Sequence, residues 1–241
     1  MNESFHQCLI CNDPSLRVLS RYEKDHLVKC SNCGFVFASS IPSESALIHH
    51  YEGYGRRNYL SPITVKRYYE LLSTFEKFRS TGKLIDVGCG IGYFLSVAKE
   101  QNWKVHGTEF TDEAVRICRE KGISMEQGKL NPAKYETGSF DVITSFEVME
   151  HINNPREEVQ LFHSLLRKGG AVYVTTPNFN SLSRILLKEK WNVLAYPEHL
   201  CYYTVSTLQR LFTDSGFSLL KIETTGISIT RAKTSLKISN Q

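Results

Sequence analysis

The chain has 241 residues, which is enough for one large domain, or one domain with a small appendage, around a sizeable hydrophobic core. Hydrophobic residues make up 41% and charged residues 22%, with 15 Gly and 7 Pro, which excludes collagen-like, low-complexity and disordered chains. The formal net charge of +4 is too small to require a nucleic-acid or anionic-membrane partner. The composition therefore predicts a soluble globular protein.

The location of the protein is predicted from what its sequence lacks and from its cysteines. No stretch approaches the roughly 18 consecutive apolar residues of a membrane span, and residues 1–6 lack the layout of a secretory signal. Four of the seven cysteines occur in two tight pairs, which indicates a reducing compartment and metal ligation. We therefore expect a cytoplasmic location without membrane association.

The two cysteine pairs predict a zinc ribbon over residues 1–40. Each pair has the form Cys-x-x-Cys, and together they supply four thiolates that fill the tetrahedral shell of a structural zinc ion. Short apolar runs between and after the pairs predict hairpin strands. Unligated cysteines or a redox pair are the alternatives, but a second pair at ribbon spacing favours metal. The predicted ligands are Cys8, Cys11, Cys30 and Cys33.

Residues 41–80 form a tyrosine-rich segment that is predicted to be a helical linker. Its aromatic and basic side chains suit a lid over a ligand pocket, and they equally suit amphipathic helices that pack on the next domain. The residues concerned are Tyr51, Tyr54, Arg56, Arg57, Tyr59, Lys66, Arg67, Tyr68 and Tyr69.

Residues 83–95 read as a buried strand, a Gly-x-Gly-x-Gly turn and a helix, the opening of a nucleotide-binding α/β unit. A dinucleotide motif starting at Gly88 would need glycine at position 93, where Tyr93 stands. Asp86 precedes the first glycine by two residues, and its carboxylate would repel a pyrophosphate but accept hydrogen bonds from an ammonium group. The motif therefore favours a cationic ligand without phosphate.

Glu109 follows the next predicted strand, where a carboxylate suits the two ribose hydroxyls of an adenosine. An ammonium-binding Asp86 and a ribose-binding Glu109 describe S-adenosylmethionine. With these residues the chain resembles the class I S-adenosylmethionine-dependent methyltransferases over about residues 65–225. Residues 140–146 resemble the fourth strand of that family, residues 147–152 its Glu-x-x-Glu-His segment, and residues 168–177 its turn into strand five.

The resemblance implies a Rossmann-like, doubly wound, mostly parallel seven-stranded sheet over residues 81–230, with a polar tail at 231–241. Its sixth strand is expected at 217–223 and its seventh at 227–230. The family often has an acidic residue after Gly128, but Lys129 stands here, so the backbone of Lys129 and Leu130 is expected to contact adenine. The implied cofactor-binding residues are Asp86, Gly88, Cys89, Gly90, Gly92, Tyr93, Phe94, Glu109, Phe110, Gly128, Lys129, Leu130, Phe146 and Glu147.

A base is needed only if the methyl acceptor must lose a proton, because the sulfonium already activates the methyl group. His151, just after strand four, is the first candidate and His199 the second, with a structural role as the alternative for either. Residues 179–203 are rich in aromatic side chains, which suit either stacking on a sugar-like acceptor or packing against the ribbon.

Three functions are compatible with these patterns. The first is methyl transfer to an oxygen or a carbon atom of a small molecule, above all a sugar or nucleotide-linked sugar, as the zinc-ribbon-plus-methyltransferase layout implies. The second is a ribosomal or transfer RNA methyltransferase that grips RNA through the ribbon, against which the balanced charge of the ribbon argues. The third is a non-catalytic adaptor, which the intact Asp86 and Glu109 disfavour.

Overall fold

The computed structural model describes residues 4–42 and 60–224 of the chain. These residues form two compact units, the first drawn from 4–42, 149–159 and 176–224, and the second from 60–148 and 160–175. Most of the predicted lid, including Tyr51, Tyr54 and Tyr59, lies outside the described residues, as do the predicted seventh strand and the polar tail.

The elements are numbered in chain order. The strands are β1 (Leu16–Val18), β2 (Leu27–Cys30), β3 (Val36–Ala38), β4 (Lys83–Val87), β5 (Lys104–Glu109), β6 (Ser124–Gln127), β7 (Phe140–Phe146), β8 (Leu166–Thr175) and β9 (Cys201–Tyr202). The α-helices are α1 (Pro62–Phe75), α2 (Tyr93–Glu100), α3 (Asp112–Glu120), α4 (Pro155–Leu165), α5 (Leu182–Leu187) and α6 (Val205–Asp214).

The second unit contains a five-stranded parallel sheet in the order β6-β5-β4-β7-β8. The chain builds outward from β4 to one edge through β5 and β6, and then to the other edge through β7 and β8. This reversal of direction next to β4 is the topological switch point at which doubly wound sheets bind ligands, outside the carboxyl ends of the strands. The predicted Rossmann-like α/β class is confirmed.

The core of this unit forms where α1 and α2 cover the sheet. α2 follows the glycine turn and buries Phe94, Leu95 and Ala98 at helical spacing, while α1 contributes Leu72 and Phe75 to the same cluster. A large apolar side chain buried in this way stabilises the fold by about 1.5–3 kcal/mol. The apolar face of α2 therefore fixes the start of the helix, and with it the glycine turn, against the sheet.

The sheet differs from the prediction at its second edge. The predicted sixth strand at 217–223 is wrong: these residues are not assigned to a strand and pair with none of the strands in the described ranges, and Leu219 and Leu220 are exposed. The expected turn at Lys168–Gly170 also lies inside β8, whose pairing with β7 shifts register between Phe140 and Val142. Apolar content at 217–223 did not suffice for a strand, because a strand also needs a neighbour to take up its backbone hydrogen bonds.

The first unit contains a four-stranded antiparallel sheet in the order β1-β2-β3-β9. The first three strands match the predicted hairpin strands of the ribbon. The fourth, β9, pairs through Cys201 with Phe37 and was not predicted, since it arrives from a distant part of the chain. The ribbon segment is therefore completed by residues near position 200.

The aromatic residues between 179 and 203 pack on the ribbon. Trp191 and Tyr202 are 4% and 2% exposed, and they share a hydrophobic cluster with Tyr22 and Val36 of the ribbon. Tyr203, which is fully buried, packs against Phe35 with ring centroids 5.2 Å apart and ring planes tilted by 40°. Of the two interpretations left open by the sequence, the structure shows packing against the ribbon.

A buried carboxylate anchors the start of β7 in the second unit. Asp141 is fully buried and accepts hydrogen bonds from the backbone N–H groups of Ser80 (2.9 Å) and Gly82 (2.7 Å) and from Nε of Arg167 (2.5 Å). Burial alone would raise the pKa of Asp141, but these donors outweigh it and lower the pKa. The ionised carboxylate thus joins the segment before β4 to strands β7 and β8.

We predict that Asp141→Asn destabilises the protein by about 3–5 kcal/mol, because it leaves Arg167 without its buried charge partner. Since the folded-state pKa is lowered, the stabilisation is present at neutral pH and is lost as the pH falls below the ordinary carboxyl range. Urea unfolding at pH 7 measures the loss. Glu120→Gln, which breaks an exposed ion pair with Arg116, is the matched control, and an equal loss in the two variants would contradict the prediction.

Candidate functional site

The site in the second unit begins with Asp86 near the carboxyl end of β4. Asp86 is 2% exposed, and Oγ1 of Thr144 donates to its Oδ1 at 2.7 Å. Burial raises the pKa of Asp86 to about 7, against the lowering effect of this hydrogen bond and with a small contribution from the charge of Glu109. Within residues 4–42 and 60–224, no basic side chain forms an ion pair with Asp86. A ligand cation would stabilise its ionised form.

The glycine loop that follows β4 has a backbone that only glycine fits. Gly88 has φ +72°, and a Cβ there would lie 2.5 Å from Cγ2 of Val148. The N–H groups of Gly88 and Cys89 both donate to the carbonyl oxygen of Thr108 at 3.0 Å, which ties the loop to β5. These hydrogen bonds within the protein therefore hold the loop against β5 by themselves.

Glu109 ends β5 and braces the same loop. Its Oε2 accepts a hydrogen bond from the N–H of Gly90 at 2.9 Å, and its Oε1 accepts from the N–H of Phe110 at 2.8 Å. β4 and β5 are parallel neighbours, with Val87 paired to Thr108, so Asp86 and Glu109 stand at adjacent strand ends. This is the arrangement of two carboxylates that the sequence predicted.

Tyr68, Phe94 and Phe146 form an aromatic cluster, and Tyr68 lies near Asp86. The ring centroids of Tyr68 and Phe94 are 5.3 Å apart, and those of Phe94 and Phe146 are 5.0 Å apart. Burial, and to a lesser degree the charge of Asp86, raise the pKa of Tyr68, so its hydroxyl stays protonated at neutral pH. Tyr68 was predicted to belong either to a lid or to an amphipathic helix that packs on the next domain, and it lies on α1, which packs on the core of the second unit.

The remaining predicted cofactor residues lie in the same unit. Gly128 donates its N–H to the carbonyl oxygen of Glu109 at 2.8 Å, which brings its loop to that strand end. Phe110 and Lys129 are exposed and Leu130 is buried. Glu147 has φ +54° and donates its N–H to the carbonyl oxygen of Thr175 at 2.9 Å. Gly90, Gly92 and Tyr93 complete the turn into α2.

Thr144 was not predicted as a site residue, although the sequence of β7 contains a polar signal for it. Thr144 pairs with Asp86 across β4 and β7, and it is a hydroxyl residue inside an otherwise largely apolar strand. A polar side chain that is buried in a central strand needs a hydrogen-bond partner. Thr144 could therefore have been predicted to bond to a polar side chain on a neighbouring strand, such as Asp86.

The four predicted zinc ligands come together in the first unit. Sγ of Cys8 lies 3.5 Å from Sγ of Cys33, Sγ of Cys11 lies 3.6 Å from Sγ of Cys30, and all four sulfurs are within 4.8 Å of one another. Zn–S bonds of about 2.3 Å in a tetrahedron place sulfurs roughly 3.8 Å apart. The donor set and its spacing are therefore compatible with a structural zinc site.

The two predicted basic histidines also meet in the first unit. The rings of His151 and His199 are 4.7 Å apart at 75°, and Nδ1 of each faces a backbone carbonyl oxygen, that of Glu198 (2.9 Å) or Val193 (2.6 Å). A carbonyl oxygen only accepts, so each Nδ1 carries hydrogen, and the lone pair of each neutral ring is on Nε2. The carboxylate of Glu150 lies within the same 4.8 Å cluster, a donor set that suits a divalent metal ion as well as proton transfer.

Known proteins are similar to this chain in sequence and in fold. A family model described as a methyltransferase domain matches residues 58–222. The chain belongs to the methyltransferase domain family.

Curated relatives are similar over part of the chain. "Ubiquinone biosynthesis O-methyltransferase" of Cupriavidus pinatubonensis is 32% identical over 105 residues, covering 41% of this chain and 42% of the relative. The protein of the same name from Cronobacter sakazakii is 31% identical over 111 residues, covering 43% and 46%. The matched part of the chain thus spans less than half the length of these relatives.

Solved structures share the fold. An S-adenosylmethionine-dependent methyltransferase from Archaeoglobus fulgidus superposes with a TM-score of 0.54 at 18% identity, over 82% of this chain and 94% of that one. One from Mesorhizobium loti gives 0.52 at 19% identity, over 69% and 89%. Separately, none of the helices in the described ranges is long and apolar enough to cross a bilayer.

We predict that the purified protein contains close to one zinc ion per chain, because the four sulfurs converge on one tetrahedral position. Cys33→Ser removes one ligand and is expected to lose most of the zinc, whereas Cys201→Ser, outside the cluster, keeps it. Elemental analysis by mass spectrometry after gel filtration measures the ratio. Wild-type protein with four free thiols and no zinc would contradict this prediction.

Proposed function

We propose that this protein transfers the methyl group of S-adenosylmethionine to a hydroxyl group of a small-molecule acceptor. The observation that carries the proposal is the buried carboxylate of Asp86 beside a glycine loop that has no phosphate-binding pattern. S-adenosylmethionine brings a positive ammonium group and no phosphate. Its binding would compensate the charge of Asp86, with which no basic side chain forms an ion pair in the part of the chain that the structure describes.

The proposal gives each predicted residue a place around the cofactor. Asp86 accepts hydrogen bonds from the ammonium group, and Glu109 accepts from the ribose hydroxyls, in exchange for its present bonds to backbone N–H groups. Phe110 and the backbone of Lys129 and Leu130 flank the adenine. The other proposed contacts are Gly88, Cys89, Gly90, Gly92, Tyr93, Phe94, Gly128, Phe146 and Glu147.

The work of this chain is to align the reactants and exclude water. The cofactor supplies an activated methyl group, so transfer is an in-line displacement that depends on positioning, which can lower a barrier by about 7–11 kcal/mol. The aromatic cluster of Tyr68, Phe94 and Phe146 supplies an apolar surface near Asp86. That surface keeps water from competing with the acceptor.

A hydroxyl acceptor must lose its proton, and the histidine pair provides the base. The basic nitrogen of His151 and of His199 is Nε2, since both Nδ1 atoms are committed to backbone carbonyls. We propose His151 as the residue that accepts the proton, because it follows β7 directly in the chain, and His199 as its neighbour in the pair.

Two acceptor classes are distinguished by experiment. The zinc-ribbon-plus-methyltransferase layout favours a sugar or nucleotide-linked sugar. The curated relatives are named as O-methyltransferases of ubiquinone biosynthesis, which favours a quinone-related acceptor with a phenolic hydroxyl. A panel of nucleotide sugars and catechol-type phenols, assayed for S-adenosylhomocysteine release, decides between them.

We predict that Asp86→Asn weakens binding of S-adenosylhomocysteine by about 10–100-fold, the cost of losing one hydrogen bond to a charged group. Wild-type affinity is expected to rise as the pH increases through about 7, because the carboxylate must be ionised, whereas the variant shows no such rise. Calorimetric titration between pH 6 and 8 measures both effects. Glu113→Gln, an exposed carboxylate on α3, is the control, and unchanged affinity in Asp86→Asn would refute the cofactor assignment.

The same variant is expected to be more stable than wild type at pH 8. The folded-state pKa of Asp86, about 7, is raised above its unfolded value. Ionisation of the buried carboxyl group therefore lowers the stability of the protein as the pH rises from the ordinary carboxyl range to about 7. Melting temperatures at pH 5 and pH 8 test this, with a larger gain expected at pH 8. A variant that is less stable at pH 8 would show that Asp86 has a structural role.

We predict that replacing the base with alanine lowers kcat by about 10²–10⁴-fold while affinity for S-adenosylhomocysteine stays unchanged. His151→Ala is expected to have the larger effect, His199→Ala a smaller one, and His163→Ala, an exposed histidine on α4, none. Assays with EDTA and with added Mn²⁺ accompany these variants. Activity that disappears with EDTA and returns with Mn²⁺ would assign the cluster to a metal ion instead.

A further inference from the structure

A cavity of about 310 Å³ lies in the second unit, and the residues that line it are all different from the proposed cofactor contacts. Lys83 and Phe140, the first residues of β4 and β7, form part of its wall, together with His106 of β5 and Glu126 of β6. Tyr135, from the loop between β6 and β7, also lines it. Its volume is typical of sites for small molecules.

The polar side chains of the cavity lie on the face of the sheet that points away from α1 and α2. Val105 of β5 and Met125 of β6 pack on the core cluster to which these two helices contribute. Because successive side chains of a strand point to opposite faces, His106 and Glu126 point to the other face. The cavity is therefore separated from the core under α1 and α2 by the sheet itself.

Glu126 offers a buried carboxylate oxygen to this cavity. The residue is 5% exposed, and its Oε1 lies 3.2 Å from Nζ of Lys134. Its Oε2 is buried and receives no hydrogen bond from any group in residues 4–42 and 60–224. A buried acceptor without a donor is costly, and a carboxylate oxygen only accepts. The group that this oxygen lacks is therefore an N–H or O–H donor.

Tyr135 and His106 supply ring surfaces and further polar groups. The rings of His106, Tyr135 and Phe140 meet edge to face, with centroids 5.3–5.9 Å apart. Burial, and then Glu126, raise the pKa of Tyr135, so its hydroxyl stays protonated. Burial, and then the charge of Lys83, lower the pKa of His106. Its neutral ring carries one N–H donor and one acceptor nitrogen.

The charged side chains that line the cavity balance one another. Lys83 and Lys134 are matched by Glu126 and Glu136. A ligand cation would compete with Lys134 for the carboxylate of Glu126, and a ligand anion would be repelled by that carboxylate. The lining therefore favours a neutral ligand that has an N–H donor, an acceptor atom and a flat surface for the rings.

We propose that this cavity binds the base of a free nucleoside. A base is a flat, neutral ring with N–H donors and acceptor atoms along one edge. Its N–H donates to Oε2 of Glu126, an acceptor atom of the same edge receives the N–H of His106, and its ring packs against Tyr135. The site does not depend on the proposed function, because its residues take no part in that function.

Calorimetry tests the site. Full-length, zinc-loaded protein is saturated with S-adenosylhomocysteine, which blocks the proposed cofactor site, and is titrated with adenosine, guanosine, cytidine and uridine. At least one nucleoside is expected to bind with a Kd below about 1 mM. Its analogue with methyl groups in place of the base N–H hydrogens, such as 3-methyluridine for uridine, is expected to bind about tenfold more weakly. If none of the four binds, the proposal is overturned.

Variants show where the nucleoside binds. Glu126→Gln removes the charge of the acceptor, and His106→Phe removes both ring nitrogens but keeps a ring against Tyr135. Each is expected to weaken binding about tenfold. Glu113→Gln and His163→Phe, at exposed positions on α3 and α4, are the matched controls and keep the wild-type affinity. Melting curves check folding, and His106→Phe carries the test if Glu126→Gln does not fold.

Two results would place the nucleoside elsewhere and overturn the proposal. The first is wild-type affinity in both Glu126→Gln and His106→Phe. The second is binding that appears only without S-adenosylhomocysteine, which would assign the nucleoside to the proposed cofactor site. Protein that binds nucleoside through Glu126 and His106 but does not bind S-adenosylhomocysteine would overturn the proposed function and leave this site established.

Discussion

The buried charge of Asp86 is the constraint on which the site depends. Asp86 is 2% exposed, and within residues 4–42 and 60–224 its carboxylate accepts a hydrogen bond from one hydroxyl, that of Thr144. Burial favours its protonated form, and the raised pKa expresses this. The fold nevertheless places it at the switch point of the sheet, next to a loop whose backbone only glycine can adopt. These features make sense together if a cation from outside the chain completes the charge balance.

Asp141, on the neighbouring strand β7 of the same unit, shows the opposite arrangement. Asp141 is equally buried, but backbone N–H groups and Arg167 satisfy it fully, so its pKa is lowered and it stabilises the fold. Two aspartates of similar burial therefore have different roles because of their partners. Within the described residues, the donors around Asp141 suit a structural role, and Asp86, which has fewer donors and lies at a strand end, is the proposed binding group.

The sequence was most informative where local rules apply. The cysteine spacing predicted the four-sulfur cluster, and the glycine pattern with Asp86 and Glu109 predicted two carboxylates at adjacent strand ends. It was least informative where distant segments meet. The pairing of β9 with β3, the contact between His151 and His199, and the position of Tyr68 all depend on tertiary packing, which no local pattern encodes. The predicted sixth strand failed for the same reason, since an apolar run does not specify its neighbour.

The fourth strand of the ribbon sheet has a consequence for how the protein forms during synthesis. β3 is made early, but its partner Cys201–Tyr202 leaves the ribosome only after most of the chain has been translated. Until then the edge of β3 has no strand to pair with, and an open edge is where chains associate wrongly. Pairings across such sequence distances also form slowly. A metal ion bound to the early cysteines would hold the nascent ribbon together during that interval, so metal supply at the time of translation would govern the yield of correctly folded protein.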